Sequence, residues 1–300
     1  MKVHHTFWKW RVILFMVNET IKILVTGYTG QLGYDVVRNG LERGFDMIGV
    51  SSKDLNITDE RLVYQYVKSL RPDAIIHCGA YTAVDKAEDD KENCWKVNVE
   101  GTRYLVKAAQ EVKAKFMYIS TDYVFDGLGD KPYMETDPPN PVGYYGFTKY
   151  EGEKIVQSHL TEWFIIRISW VFGSNGNNFV KTMMKMAEVH DEINVVADQI
   201  GSPTYTFDAA RLIVDMIQTD KYGIYHAANE GFCSWSDFAK EIFRIAGKTV
   251  KVNSITTEEF PTRATRPKNS RMIKTKITDN GFEPLPPWQE SLKHFINTQN

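Results

Sequence analysis

Between residues 21 and 168 short apolar runs alternate with longer segments of helical period, and that alternation leaves few folds open. The runs are Ile21–Val25, Met47–Val50, Ala74–His77, Phe116–Ser120 and Trp163–Ile168. Nearly continuous apolar strands belong to a sheet covered on both faces, and the spacers are long enough for the crossover helices that parallel strands require. Such crossovers are overwhelmingly right-handed, so the pattern predicts an α/β fold with a Rossmann-like, doubly wound parallel sheet. After Trp170 the regularity weakens. A helix is predicted near Phe179–Val189, a strand near Asn194–Val196, and helices near Phe207–Ile217 and Trp235–Ala246. Glu283-Pro-Leu-Pro-Pro287 reads as a rigid connector and Trp288–Ile296 as a closing helix.

Composition sets the outer bounds. A chain of 300 residues with 43% hydrophobic and 25% charged residues can bury one α/β domain and a smaller lobe. The formal net charge of −2, with Lys and Arg dispersed among Asp and Glu, argues against a nucleic-acid partner. Cys78, Cys94 and Cys233 are odd in number and far apart, in no metal-ligand pattern; they read as buried thiols of a cytoplasmic protein, with no structural metal. Lys2, Lys9 and Arg11 precede the apolar run Val12 to Val17, a faint imitation of a secretory signal. That run falls short of the roughly 7–15 apolar residues a signal needs and the roughly 20 of a membrane span, so no membrane association is expected. Residues 1–20 are expected to be an N-terminal extension, with residues 1–15 added by an upstream start codon and Met16 the real start.

Gly27, Gly30 and Gly33 follow the first predicted strand and open the first predicted helix. In that context glycines permit a tight turn, let backbone amides approach a pyrophosphate, and let the helix pack on the strand. The alternative is a plain strand-to-helix turn. Residues 21–170 are therefore assigned as an NAD(P)-binding domain with a return segment near 194–226, and 171–193 with 227–300 as a substrate-binding lobe. After the second strand the chain reads Val50-Ser-Ser-Lys-Asp54-Leu55, with no acid directly behind Val50 to accept from a ribose 2′-hydroxyl. The expectation is NADPH, with NADH left open as a second cofactor. Asp54 can flank an adenine or serve simply as a turn-forming acid.

Tyr145 and Lys149 stand four residues apart and share one face if helical. Together with the glycine loop, Gly79-Ala-Tyr-Thr-Ala-Val-Asp-Lys-Ala-Glu88, Asn98-Val-Glu-Gly-Thr102, Ser120-Thr-Asp-Tyr-Val-Phe-Asp-Gly127 and Arg167-Ile-Ser-Trp-Val-Phe172, they make the chain resemble the dTDP-4-dehydrorhamnose reductases, a group of extended short-chain dehydrogenases/reductases. Gly176-Asn-Asn-Phe179, Asp198-Gln-Ile-Gly-Ser-Pro-Thr204 and Arg266-Pro-Lys-Asn-Ser270 extend the resemblance over about residues 20–298.

The resemblance implies a cofactor shell of Gly30, Gln31, Leu32, Asp54, Leu55, Ala80, Tyr81 and Thr82 beside Tyr145 and Lys149. It places Val84, Thr121, Asp122 and Trp170 beside a nucleotide sugar, and Asn177, Asn178, Gln199 and Arg266 near its phosphates and base. Without it, Trp170 reads as a core tryptophan and the last four as loop hydrogen-bonders. The implied activity is reduction of the 4-keto group of dTDP-4-dehydro-L-rhamnose to dTDP-L-rhamnose, a step toward cell-surface polysaccharide.

In that reaction Tyr145 would donate the proton. A free phenol titrates near about 10, so the Lys149 ammonium is expected to favour its phenolate. Thr121 would donate to the carbonyl oxygen, while Ser120, one residue earlier on the strand, should face away. Related dehydratases carry Thr-Asp-Glu where this chain has Thr121-Asp122-Tyr123; a tyrosine is no second carboxylate, so simple reduction fits better than dehydration. Two rivals remain: a reductase of another 4-keto nucleotide sugar, and a non-catalytic regulatory subunit similar to the methionine adenosyltransferase β-subunit. Assembly stays open between monomer and homodimer, because some relatives pair through a metal-bridged interface whose ligands this sequence does not single out.

Overall fold

The computed structural model describes residues 20–299. The extension expected over residues 1–20 and its start residue therefore lie, Thr20 aside, outside the described residues.

The first half runs β1 (Lys22–Thr26), α1 (Gln31–Glu42), β2 (Asp46–Val50), α2 (Glu60–Leu70) and β3 (Ala74–His77). Short helices α3 (Val84–Ala87) and α4 (Lys91–Trp95) lead through a wide turn into α5 (Gly101–Val112), then β4 (Lys115–Thr121), a 3₁₀ turn at Asp122–Val124, α6 (Tyr144–His159) and β5 (Trp163–Ile168). The second half holds β6 (Val171–Phe172), α7 (Phe179–Met186), β7 (Glu192–Val196), β8 (Ile200–Gly201), β9 (Thr204–Tyr205), α8 (Thr206–Ile217) and β10 (Gly223–His226). It closes with β11 (Cys233–Ser234), α9 (Trp235–Ile245), β12 (Lys251–Ile255), β13 (Asn269–Ser270), α10 (Thr275–Asp279) and α11 (Trp288–Gln299).

Six strands form one sheet in the order β10-β5-β4-β3-β1-β2, parallel throughout. Alternate residues of each strand feed opposite faces. Ile23, Val25, Ile76, Met117, Ile119, Phe164 and Ile166 pack under α1 and α8, whereas Leu24, Ile75, Phe116, Tyr118 and Ile165 pack under α2, α5 and α6. The sheet is therefore covered on both sides, which is why its strands read as unbroken apolar runs.

A third apolar cluster forms a lobe of its own. Phe172, Val180, Ile193, Phe238, Ile242, Trp288, Leu292 and Phe295 pack together there, drawn from α7, α9, α11 and the short strands. β7 pairs with β12 in this part of the molecule and not with the main sheet. The return segment expected over 194–226 is thus narrower than the sequence suggested: α8 packs on α1, and β10 joins the sheet beside β5. The helix expected to reach Val189 ends at Met186. β10 and β12 were not anticipated: the polar and glycine residues of Gly-Ile-Tyr-His and Lys-Val-Asn-Ser-Ile dilute the apolar signal of strands at sheet edges.

β1 lies between β2 and β3, so the connections leaving its two sides diverge and open a crevice at the carboxyl edge of the sheet. α6 descends over that edge. A Cβ on Gly146 would overlap the backbone carbonyl of Tyr123, so glycine alone lets the start of α6 meet the turn after β4. No helix among the described residues is long and apolar enough to cross a membrane. Gly146→Ala should cost roughly 1–3 kcal/mol of stability through overpacking, read as a lower urea midpoint.

Candidate active site

A cavity of about 650 Å³ occupies the crevice between the sheet edge and the lobe. Gly27 and Gly30–Gly33 line it at one end, and Thr121, Asp122, Tyr145, Lys149 and Trp170 line it further along.

The glycine loop is built for close approach. A Cβ on Gly33 would run into the Gly27 carbonyl, so α1 can start where it does only without a side chain there. Gly30 caps α1 in an extended conformation and supplies no side-chain acceptor, which leaves first-turn amides free at the positive end of the helix dipole. Amides without a capping side chain, beside a cavity of this size, fit the pyrophosphate of a dinucleotide. Ser51, Ser52 and Leu55 continue the wall beyond β2. Asp54 does not: its Oδ2 accepts from the Ser51 amide at 2.8 Å and the Ser51 hydroxyl at 2.6 Å, and these bonds hold its carboxyl below the usual carboxylate range. The turn-forming alternative describes that side chain, which lies in a shallow recess with Leu62, Gln65 and Tyr66.

From the end of β3, Gly79, Ala80, Thr82 and Val84 reach the cavity. The Tyr81 side chain leaves it, donating to Asp90 at 3.0 Å. Its amide donates to Asn98 Oδ1 at 2.8 Å, and Asn98 Nδ2 donates to Thr148 Oγ1 at 3.0 Å, tying this loop to α6.

Tyr145, Lys149 and Thr121 meet at the cavity wall. Lys149 is 3% exposed, with Nζ 4.0 Å from the centroid of the Tyr118 ring. Burial pulls its ammonium down to about 7, against the opposing pull of Glu153 one helical turn on. Half-buried Tyr145 meets the Tyr123 ring edge-on at 5.7 Å. Burial pushes its phenol above the usual tyrosine range; the Thr121 hydroxyl draws it down and the Asp122 charge pushes it further up. Lys149 is not among the groups that shift the phenol, so the expected lowering does not appear and burial prevails.

Thr121 Oγ1 donates to Asp122 Oδ1 at 3.1 Å, while Asp122 Oδ2 is buried without a partner. Burial raises Asp122 to about 6. Ser120, expected to face away, also borders the cavity, while its hydroxyl donates to Glu153 Oε1 at 2.5 Å.

Trp170 borders the cavity in the left-handed region (φ +49°), its indole stacked on Trp235 with centroids 3.7 Å apart and planes 13° apart. Trp235, with Phe179 4.6 Å behind it, is the buttress that sequence inspection missed; no linear motif connects positions 65 residues apart.

Three expected substrate residues sit off the cavity wall because each is taken up by local partners. Asn178 caps α7 at the Lys181 amide and donates to Gln31 Oε1 at 3.0 Å. Gln199 donates to Thr257 Oγ1 at 3.1 Å, and Arg266 pairs with Asp85 at 2.7 Å. Asn177 does line the wall. So do Cys78, Val97 and Ser169, whose apolar or small side chains carry no advance signal. No cluster of three or more His, Cys, Asp or Glu side chains suited to a metal occurs among the described residues.

Comparison with known proteins adds a decisive observation. The family described as "RmlD substrate binding domain" matches residues 21–300. The chain belongs to that family. A relative named dTDP-4-dehydrorhamnose reductase from Aggregatibacter actinomycetemcomitans is 40% identical over 287 residues, covering 91% of this chain and 97% of the relative. The spore coat polysaccharide biosynthesis protein SpsK of Bacillus subtilis is 38% identical over 279 residues, covering 93% and 98%. Among solved structures, the dTDP-4-dehydrorhamnose reductase of Bacillus anthracis in complex with NADP superposes with a TM-score of 0.91 at 43% identity, over 93% of this chain and 99% of that one. Within this RmlD-family chain, Gly33→Ala should weaken dinucleotide binding by about tenfold or more, by NADPH fluorescence titration, because the added methyl displaces the start of α1.

Proposed function

We propose that this chain is a reductase that converts dTDP-4-dehydro-L-rhamnose to dTDP-L-rhamnose with NADPH. One observation carries the reading: Tyr145, Lys149 and Thr121 face the same cavity whose far end is the glycine loop at the start of α1. Relatives 36–40% identical over more than nine-tenths of the chain bear the reductase name, and the Bacillus anthracis structure contains NADP.

NADPH would be held by the amides after Gly30, by Ser51, Ser52 and Leu55 along the adenosine end, and by Lys149 at the nicotinamide ribose; it would supply the hydride. The remaining work falls to the protein. Thr121 Oγ1 turns its one proton from Asp122 to the carbonyl oxygen, and the raised Tyr145 phenol keeps its proton at neutral pH until negative charge develops on that oxygen. Lys149 supplies positive charge as the phenol gives up its proton. Asp122 Oδ2, buried without a partner, accepts from a sugar hydroxyl. The Trp170 indole, braced by Trp235, offers a flat apolar face to the hexose. In this assignment the sheet region holds the cofactor and the lobe closes over the nucleotide sugar. A non-catalytic binding subunit has no use for a Tyr–Lys pair and a threonine gathered on the wall of a cofactor-sized cavity. The three free thiols fit a reducing cytosol.

Loss of NADPH absorbance on adding dTDP-4-dehydro-L-rhamnose is the direct assay, and equal turnover of a differently based 4-keto sugar nucleotide would shift the substrate assignment. Tyr145→Phe should cut kcat roughly a hundred- to ten-thousand-fold and leave NADPH affinity nearly unchanged; preserved turnover removes Tyr145 as proton donor. Ser52→Asp places a carboxylate where the 2′-phosphate would sit and should raise the Kd for NADPH about tenfold or more, with NADH tightened in comparison.

A further inference from the structure

Beneath the proposed site lies a fully buried ion pair that the reaction as described does not use. Glu153 on α6 is 0% exposed and Arg167 on β5 is 1% exposed. Arg167 Nε donates to Glu153 Oε1 at 2.9 Å and Nη2 donates to Oε2 at 2.7 Å, a fork-to-fork pair, and the Ser120 hydroxyl from β4 adds a third donor at 2.5 Å. The far side of the guanidinium rests 5.0 Å from the Phe125 ring centroid, with His226 Nε2 3.5 Å from Nη1. Removing two charges from water is expensive, and well-packed apolar residues in their place are often at least as stable. A pair retained here calls for a reason other than stability.

Its position supplies one. Each member is covalently next to, or one helical turn from, a residue of the proposed site: Ser120 precedes Thr121, Arg167 precedes Ile168, which pairs in register with Thr121, and Glu153 follows Lys149 by one turn of α6. We infer that Glu153, locked by Arg167 and Ser120, is a positioning residue that keeps the Lys149 side chain charged and α6 seated against β4 and β5.

The surroundings of Lys149 single out Glu153. From β3 it is faced by His77, which burial lowers to about 3, and by Cys78, which burial raises to about 12. From α4 comes Cys94 and from β4 Tyr118, both raised by burial; the Arg167 cation lies on the other side of the Glu153 carboxylate. His77, Cys78, Cys94 and Tyr118 are neutral at pH 7. Glu153 is the negative charge among the groups acting on Lys149, and the first to oppose the cost of burying its ammonium.

The catalytic consequence rests on the reductase reading, so the test has a readout that does not. NADPH affinity, measured by fluorescence without sugar, and kcat/KM for NADPH with dTDP-4-dehydro-L-rhamnose are each followed against pH. The proteins are wild type, Glu153→Gln, and the double variant Glu153→Leu with Arg167→Met. The double variant strands no buried charge and so stays folded if the single one does not. In wild type both profiles should fall as pH rises through about 7, where Lys149 loses its charge. Loss of the carboxylate one turn away should move that fall about one pH unit toward acid in Glu153→Gln, roughly a fivefold loss of affinity and of kcat/KM at pH 7, and by less in the same direction in the double variant, which removes the Arg167 cation as well. An unmoved fall in the folded double variant, even with lower activity, overturns the inference and leaves the pair a structural one. Absent turnover in wild type overturns the reductase reading instead, while the affinity profile still decides the role of Glu153.

Discussion

Everything at the cavity hangs on how closely α6 lies on the edges of β4 and β5. Tyr145 and Lys149 can share a wall with Thr121 only if the start of the helix meets the turn after β4, and the Gly146 backbone meets the Tyr123 carbonyl with no room for a methyl group. Further along the helix the Ser120–Glu153–Arg167 network pins the same two strands. One contact is steric and the other electrostatic, yet both set the same coordinate, the height of the phenol and ammonium above the sheet.

That seating has an electrostatic cost, and the proposed chemistry makes use of it. In water a phenol and an ammonium titrate at almost the same pH; inside this wall burial drives them apart, the phenol upward and the ammonium down to about 7. A tyrosine that holds its proton firmly in the resting site is suited to donation only when charge appears on a bound oxygen. Raised Asp122 and its unpartnered oxygen mark a second place where bound substrate would replace a missing hydrogen bond.

The parallel sheet was legible because burial on both faces leaves a local trace: five runs of strand length with helical spacers. The glycine loop was legible for a similar reason, since Gly30 and Gly33 both face the Gly27 carbonyl a few residues away, although Gly27 itself is demanded by the approach of Cys78 and Gly79. Edge strand β10 and the β7–β12 pair left weaker traces, because half-exposed strands mix polar and apolar residues. Asp54, Tyr81, Asn178, Gln199 and Arg266 show the opposite failure. A motif names a polar side chain without naming its partner, and each of these side chains is engaged by a protein partner: Asp54 by Ser51 and Asn178 by Gln31 at the cavity wall, the other three by residues away from it.

By itself the sequence determined the layered α/β sheet, the position of the glycine turn and the Tyr145–Lys149 spacing, all governed by interactions within a few turns of chain. Tertiary structure alone decided that Trp235 braces Trp170, that Arg167 meets Glu153, and which polar residues face the cavity. Those choices depend on approach between segments distant along the chain. Burial there fixes charge states as well as contacts, and no local pattern of residue types records it.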